Sequence, residues 1–186
     1  MNYRGTILLA VTVALSCWVG PTSASTFRPI PLSRLVQQSN WVVVATPVSF
    51  ECHWATVGSG SRLVTDFTLQ VHWTLRGVDV AGQEIVVRTL GGSWGNLGQV
   101  VHGEAHLAVG QTSLLFLKRG HDNALRVLGL GQGHYPVAID TNGDWRLTKS
   151  PGLEGVLDEQ HSAATLLFNQ RLDEVKVLLE KSEVTP

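Results

Sequence analysis

Between Arg62 and Leu75 the chain alternates. Leu63, Thr65, Phe67, Leu69, Val71 and Trp73 fall on one side, and Val64, Asp66, Thr68, Gln70 and His72 on the other. A period of two is the geometry of a half-buried β-strand, so the first set predicts a core-facing surface. Trp41 to Trp54 is rich in β-branched and aromatic residues and predicts a second long strand. Phe50, Cys52 and Trp54 share one face of it and are expected in the core. Pro47 has no N–H for a ladder and therefore predicts an edge or a bulge. Shorter strands are predicted at Glu84–Leu90, Thr112–Lys118, Leu125–Gly131 and Tyr135–Ile139. Thr112–Lys118 is almost continuously apolar and reads as central. Asp140–Trp145 reads as a hairpin turn around Asn142-Gly143.

The pattern changes period at both ends. Leu32, Leu35 and Val36 predict a short helix over Leu32–Gln38. Phe168, Leu172, Val175 and Leu179 step by four, three and four residues, with Leu178 beside them, and predict an amphipathic C-terminal helix. Short strands at close spacing with one helix at each end indicate an all-β fold: a small, OB-like closed or partly open barrel, with a β-sandwich as the alternative. No βαβ alternation appears.

The N-terminus has the pattern of a signal peptide over residues 1–24. Arg4 supplies a short positive region, and Thr6 to Gly20 is apolar but shorter than the roughly 20 residues that cross a bilayer. Pro21, Thr22 and Ala24 then make a cleavage site after Ala24. A lipoprotein attached at Cys17 is the alternative, against which Leu15 is bulky for that motif. Cleavage leaves a barrel domain expected at 25–160 and a C-terminal helix at 161–183 packed on it. The expected compartment is secreted or periplasmic, with no membrane span after cleavage.

Charge adds one exclusion. Without Arg4 there are 13 basic and 15 acidic side chains, and no basic stripe, so nucleic acid is not an expected partner. Cys17 leaves with the leader. Cys52 is then alone and cannot form an internal disulfide; burial or an intermolecular link remains open to it.

The glycine-rich segment Arg88 to His106 carries the candidate chemistry. Gly91-Gly92-Ser93-Trp94-Gly95 fits the G-x-S-x-G nucleophile pattern, with Asp158 and His161 following in the required order. That chemistry needs a helix directly after the serine, whose amides help stabilise an oxyanion. Asn96 to Val101 contains a glycine and two β-branched residues and disfavours one. Ser93, Asp158 and His161 therefore stand as an alternative catalytic set. Gly129, Gly131 and Gly133 match no phosphate-binding pattern, and no cofactor is implied.

His102 and His106 are four residues apart with Glu104 between them, an alternative metal set. On a helix two such histidines share a face; on a strand they stand about 13 Å apart at roughly 3.3 Å per residue, too far for one ion. The zincin pattern needs Glu directly after the first His, which is not the case here. Among the aromatics, Trp54 and Trp73 are expected in the core. Trp94 lies in the glycine loop formed by Gly91, Gly92, Gly95 and Gly98. Loops on a rigid barrel carry most binding residues, so this loop is the expected binding surface.

The order of segments carries a resemblance. "LVQQSNWVVVATPVS", "VTDFTLQVHWTLRG", "EIVVRTLGG" and "VGQTSLLFL", over about Leu35 to Lys118, resemble netrin-type modules and tissue inhibitors of metalloproteinases. They are similar also to secreted bacterial proteins built on the same pattern. The resemblance implies an OB-like barrel and a bias toward protein binding. Those inhibitors coordinate a protease zinc through a disulfide-tethered N-terminal cysteine, whereas cleavage here would leave Ser25-Thr26-Phe27. No inhibitory residue carries over. The expected function is a non-enzymatic binding module for a secreted or envelope protein, with a serine hydrolase or a structural envelope component as alternatives.

Overall fold

A computed structural model describes residues 28–151, 153 and 162–184, with the side chains of 183 and 184 excepted. The elements are α1 (Leu32–Gln38), β1 (Trp41–Val57), β2 (Gly60–Arg76), β3 (Glu84–Leu90), β4 (Gly92–Trp94) and β5 (Leu97–Gln99). They continue with β6 (Ser113–Arg119), β7 (Leu125–Val127), a 3-10 turn (Leu130–Gly133), β8 (His134–Ile139), β9 (Trp145–Leu147), α2 (Ala163–Leu167) and α3 (Leu172–Val184).

Five strands form a ring in the order β1-β2-β3-β7-β6, closed by β6 pairing back onto Trp41–Ala45 of β1. All pairings are antiparallel except β3 with β7, which meet in parallel at Val87 and Leu125. This is a small OB-like barrel. The β8–β9 hairpin extends the sheet from β6, and β4–β5 forms a separate hairpin.

Two apolar clusters explain the sequence pattern. Inside the ring are Val43, Ala45, Phe67, Leu69, Val71, Val87, Leu115, Leu117 and Val127. Outside it, Val42, Val44, Leu114, Phe116, Tyr135 and Leu147 pack under the helices against Leu35, Val36, Leu167, Val175 and Leu179. β1 and β6 are thus buried on both faces where they pair, which is why "VVVA" and "LLFL" are unbroken apolar runs.

Three aromatic expectations are corrected. Phe50, Trp54 and Trp73 are 62%, 47% and 49% exposed rather than core. β6 covers β1 only as far as Ala45, so the far half of the β1–β2 hairpin projects past the ring. Phe50 and Trp54 do lie on the inward-facing side, opposite Phe67 and Leu63, but there is no barrel beneath them. Trp73 has a different cause. The register slips between Val44 and Ala45, so Ala45 pairs with Val71 but Val44 with Trp73. One extra residue on β2 turns Trp73 to the outer face.

Pro47 sits where the chain leaves β6, and the register slips again between Pro47 and Ser49. The predicted strand Leu125–Gly131 ends at Val127 and gives way to the 3-10 turn. The C-terminal helical region is two helices rather than one. Asn169 adopts φ 63° and reverses the chain after α2, leaving Phe168 outside any helix and 50% exposed. Val175 and Leu179 face the core as the period required.

Candidate functional site

The glycine segment folds as a hairpin laid against the end of β2. Gly91 donates to the Leu63 carbonyl at 2.8 Å, and Thr65 Oγ1 donates to the Gly91 carbonyl at 2.8 Å. The Leu63 amide donates to Gln99 Oε1 at 3.2 Å. Gly92 adopts φ +132°, and a Cβ there would lie 2.6 Å from Cys52 Sγ, so backbone and thiol are in direct contact. Cys52 is half-buried, under the hairpin rather than in the barrel core. Ser93 pairs with Gly98 and Trp94 with Leu97, and the turn passes through Gly95 at φ +58°.

Trp94 and Leu97 are therefore cross-strand neighbours at the hairpin tip, 49% and 60% exposed. Ser93 lies on a strand of this hairpin, with β5 following after two residues, so there is no helix N-terminus behind it. Asp158 and His161 lie outside the described residues.

Beneath the hairpin a cavity of 230 Å³ opens at the barrel mouth, lined in part by Thr65, Phe67, Thr89, Glu104 and His106. Glu104 is buried, and its carboxylate accepts the Leu90 amide at 3.2 Å and its neighbour Ala105's amide at 3.1 Å. Burial raises its pKa above the ordinary carboxylate value, the two amides acting against that shift. His106 Nδ1 bonds the Pro151 carbonyl at 3.0 Å. The segment from His102 to His106 is irregular, His102 is exposed, and it does not line the cavity. Glu104 and His106 are brought to one place and His102 is not. Among the described residues, no three His, Cys, Asp or Glu side chains gather as a metal site.

On the outer face a chain of charges crosses four strands. Asp66 accepts Arg88 Nε and Nη2, both at 2.7 Å, and bonds His53 Nε2 at 3.0 Å. Arg88 lies 3.8 Å from Asp122, which also accepts Arg126 Nη1 at 2.7 Å. Arg126 holds the Asp122 carboxyl down at about 2. Each charge here is neutralised within the cluster, which suits locking of the sheet better than chemistry.

A third surface was not legible in the sequence. Trp73 and Trp145 meet edge to face with ring centres 6.0 Å apart. They border a groove of 470 Å³ floored by Val44, Leu75 and Leu172. At its rim Arg171 is held by Asp144 and Asp173, each at 3.1 Å. A groove of this kind takes a group with an apolar body and a polar end. Its parts come from β1, β2, the β8–β9 hairpin and the start of α3, and the bulge that aims Trp73 outward leaves no mark in a period-two pattern.

No family model and no curated protein matches the chain.

Proposed function

We propose that the chain is a secreted or periplasmic binding module, not an enzyme, that recognises a protein partner through the β4–β5 hairpin. One observation carries the reading: Trp94 and Leu97 stand side by side and exposed at the tip of a hairpin whose base is fixed to β2. Large apolar side chains held in water on a rigid support are the composition of binding hot spots. Gly91, Gly92, Gly95 and Gly98 shape this surface: Gly91 lets the chain pass close to the Gln99 carbonyl, Gly92 lets it pass close to Thr65 and Cys52, and the latter two keep the turn and the face opposite Ser93 small. The resemblance to netrin-type modules supports a protein as the ligand, although a fold alone does not assign one. Among the described residues no helix is long and apolar enough to cross a membrane.

The test compares wild-type protein with Trp94→Ala as bait for the secreted and envelope fractions of the source cell. The reading expects one protein retained by the wild type and lost with the variant, at unchanged Tm. Equal retention by both baits overturns the hairpin as the site. Labelling of Ser93 by a fluorophosphonate probe would move the assignment to a hydrolase.

A further inference from the structure

We propose that the chain forms a two-fold dimer in which the free edge of β1 pairs antiparallel with the same edge of a second copy, centred on Cys52. β6 covers β1 only over Trp41–Ala45. Thr46 is then held by Thr112, and Pro47 accepts the Gly110 amide. From Ser49 to Ala55, β2 is the sole strand partner of β1 among the described residues, so one edge of β1 has no strand against it, with the Trp54 carbonyl accepting His53 Nδ1 at 3.2 Å. Such an edge is a template for another strand.

The sequence of this edge is complementary to itself. With Cys52 on the two-fold axis, Cys52 faces Cys52 of the second copy and Glu51 faces the second copy's His53. Phe50 faces the second copy's Trp54, and Ser49 its Ala55. Every pair but Cys52 with Cys52, which lies on the axis, occurs twice by symmetry. Directly opposed residues share a face, so the aromatic pairs join the thiols on one side of the new sheet and the acid–imidazole pairs lie on the other. Moving the axis to Glu51 or to His53 sets like against like and separates the two aromatics.

Other features agree with this register. Glu51 stands directly across from Asp66 within its own chain, and in the pair it also faces the second copy's His53, whose ring nitrogens stay bonded to its own Asp66 and Trp54 carbonyl, so this contact is one of charge and not a new hydrogen bond. Phe50 and Trp54 are exposed in the single chain and gain cover in the pair. The edge-blocking devices, Pro47 and the slip beside Val48, lie outside the pairing run. The Trp94 hairpin touches this edge through Gly92, which lies on Cys52 Sγ. Glu51 and Trp54, the positions varied below, are not among the hairpin's residues, so failure of the pairing and failure of the proposed function are read separately.

Sedimentation of the purified full chain under reducing conditions, up to about 200 µM, is expected to show a monomer–dimer equilibrium with Kd in the micromolar range. Glu51→Lys and Trp54→Lys, both at exposed positions, are each expected to weaken it roughly tenfold. Cys52→Ser is expected to leave the reduced dimer in place. Adding glutathione disulfide is expected to link the wild-type dimer. Two Cys52 thiols then become one disulfide, and their two electrons and two protons reduce the reagent to two glutathione thiols. A monomer at every concentration overturns the assignment and leaves the edge to a strand of some other protein. A dimer indifferent to both lysine variants places the interface elsewhere and overturns it equally. A Cys52 link without a reduced dimer would be a chance encounter of thiols, and would also overturn the pairing.

Discussion

Asp66 on β2 and Arg88 on β3 are directly opposed in the sheet register and joined by two parallel hydrogen bonds of 2.7 Å. The bidentate geometry is the strong form of this pair, and both side chains are about four-fifths covered. The pair staples β2 to β3 on the face opposite the barrel core. His53, on β1, adds a third strand to the staple.

Arg88→Ala is expected to cost about 2 kcal/mol at neutral pH, because a largely covered carboxylate loses its main donors. The hydrogen bond from Arg88 is the largest cause of the lowered Asp66 pKa. A lowered acid stabilises the fold fully above its ordinary value of 3.8 and loses that contribution as pH falls through the folded value. His53 works in the other direction. Its pKa is raised, mainly by the hydrogen bond to Asp66, so its contribution is full below 6.5 and is lost as pH rises through the folded value. His53→Gln should therefore match wild-type Tm at pH 9 and fall behind it at pH 5. A constant gap across that range would show that His53 contributes shape and not charge.

Gly92→Ala tests the contact between the hairpin and the thiol. The added methyl meets Cys52 Sγ and Thr65 Oγ1 at a φ that L side chains rarely adopt. The expected cost is about 1–3 kcal/mol, with a change in Trp94 fluorescence as the hairpin lifts. Adding Cys52→Ala should recover only part of this, since Thr65 and the backbone strain remain. Full recovery would place all of the constraint in the thiol.

The opposite result is expected at the hairpin tip. Trp94→Ala and Leu97→Ala should each change stability by no more than about 0.5 kcal/mol, because both side chains already face water. Phe116→Ala, at a site with no exposure, should cost about 3–5 kcal/mol. Chemical denaturation of the three variants decides the matter. A cost above about 2 kcal/mol at Trp94 would make it a packing residue and remove the main support for the binding reading.

These contrasts show what the sequence could and could not convey. The strands of the ring were legible because Phe67, Leu69 and Val71 alternate and because "VVVA" and "LLFL" do not. The helical turn at Leu32–Gln38 and the core face of Val175 and Leu179 were legible by the same logic at a different period. Trp73 was misplaced because a single extra residue at the bulge inverts the face while leaving the pattern intact. Phe50 and Trp54 lie on the expected face but outside the core expected for them, since alternation says nothing about where the neighbouring strand ends. The Trp73–Trp145 groove and the Asp66–Arg88–Asp122 cluster depend on which strands become neighbours, and no local signal encodes that.

His134 gives a sharper pH prediction. It is buried between Ser113 Oγ, 3.1 Å from Nε2, and Ser150 Oγ, 2.7 Å from Nδ1, and among the described residues no carboxylate is bonded to it. Burial is the main cause of a pKa held down at about 4, against an ordinary value of 6.5. Between these values the unfolded chain takes up a proton that the folded chain refuses. The contribution of neutral His134 is therefore full above pH 6.5 and falls away toward pH 4, by roughly 3 kcal/mol in all. His134→Asn should be less stable than wild type at pH 7, and the gap should close as pH falls to 4. A gap of constant size would mean that the imidazole is protonated in the folded state.

Tyr135 provides the last test, because it asks whether a polar group in the core contributes anything. Its ring packs edge to face on Phe116 with centres 6.1 Å apart, and its side chain is fully buried. Among the described residues the hydroxyl has no hydrogen-bond partner. Burial raises its pKa far above the ordinary 10.0, so it stays neutral at any pH the fold tolerates. A buried hydroxyl without a partner gives up its bonds to water and receives none in return. Tyr135→Phe keeps the ring and its contact with Phe116 while removing that loss. The variant is expected to equal wild type or exceed it by about 1 kcal/mol, read as a higher urea midpoint at unchanged m-value. A loss of more than about 1 kcal/mol would mean that the hydroxyl is hydrogen-bonded in solution and helps to hold β8 against β6.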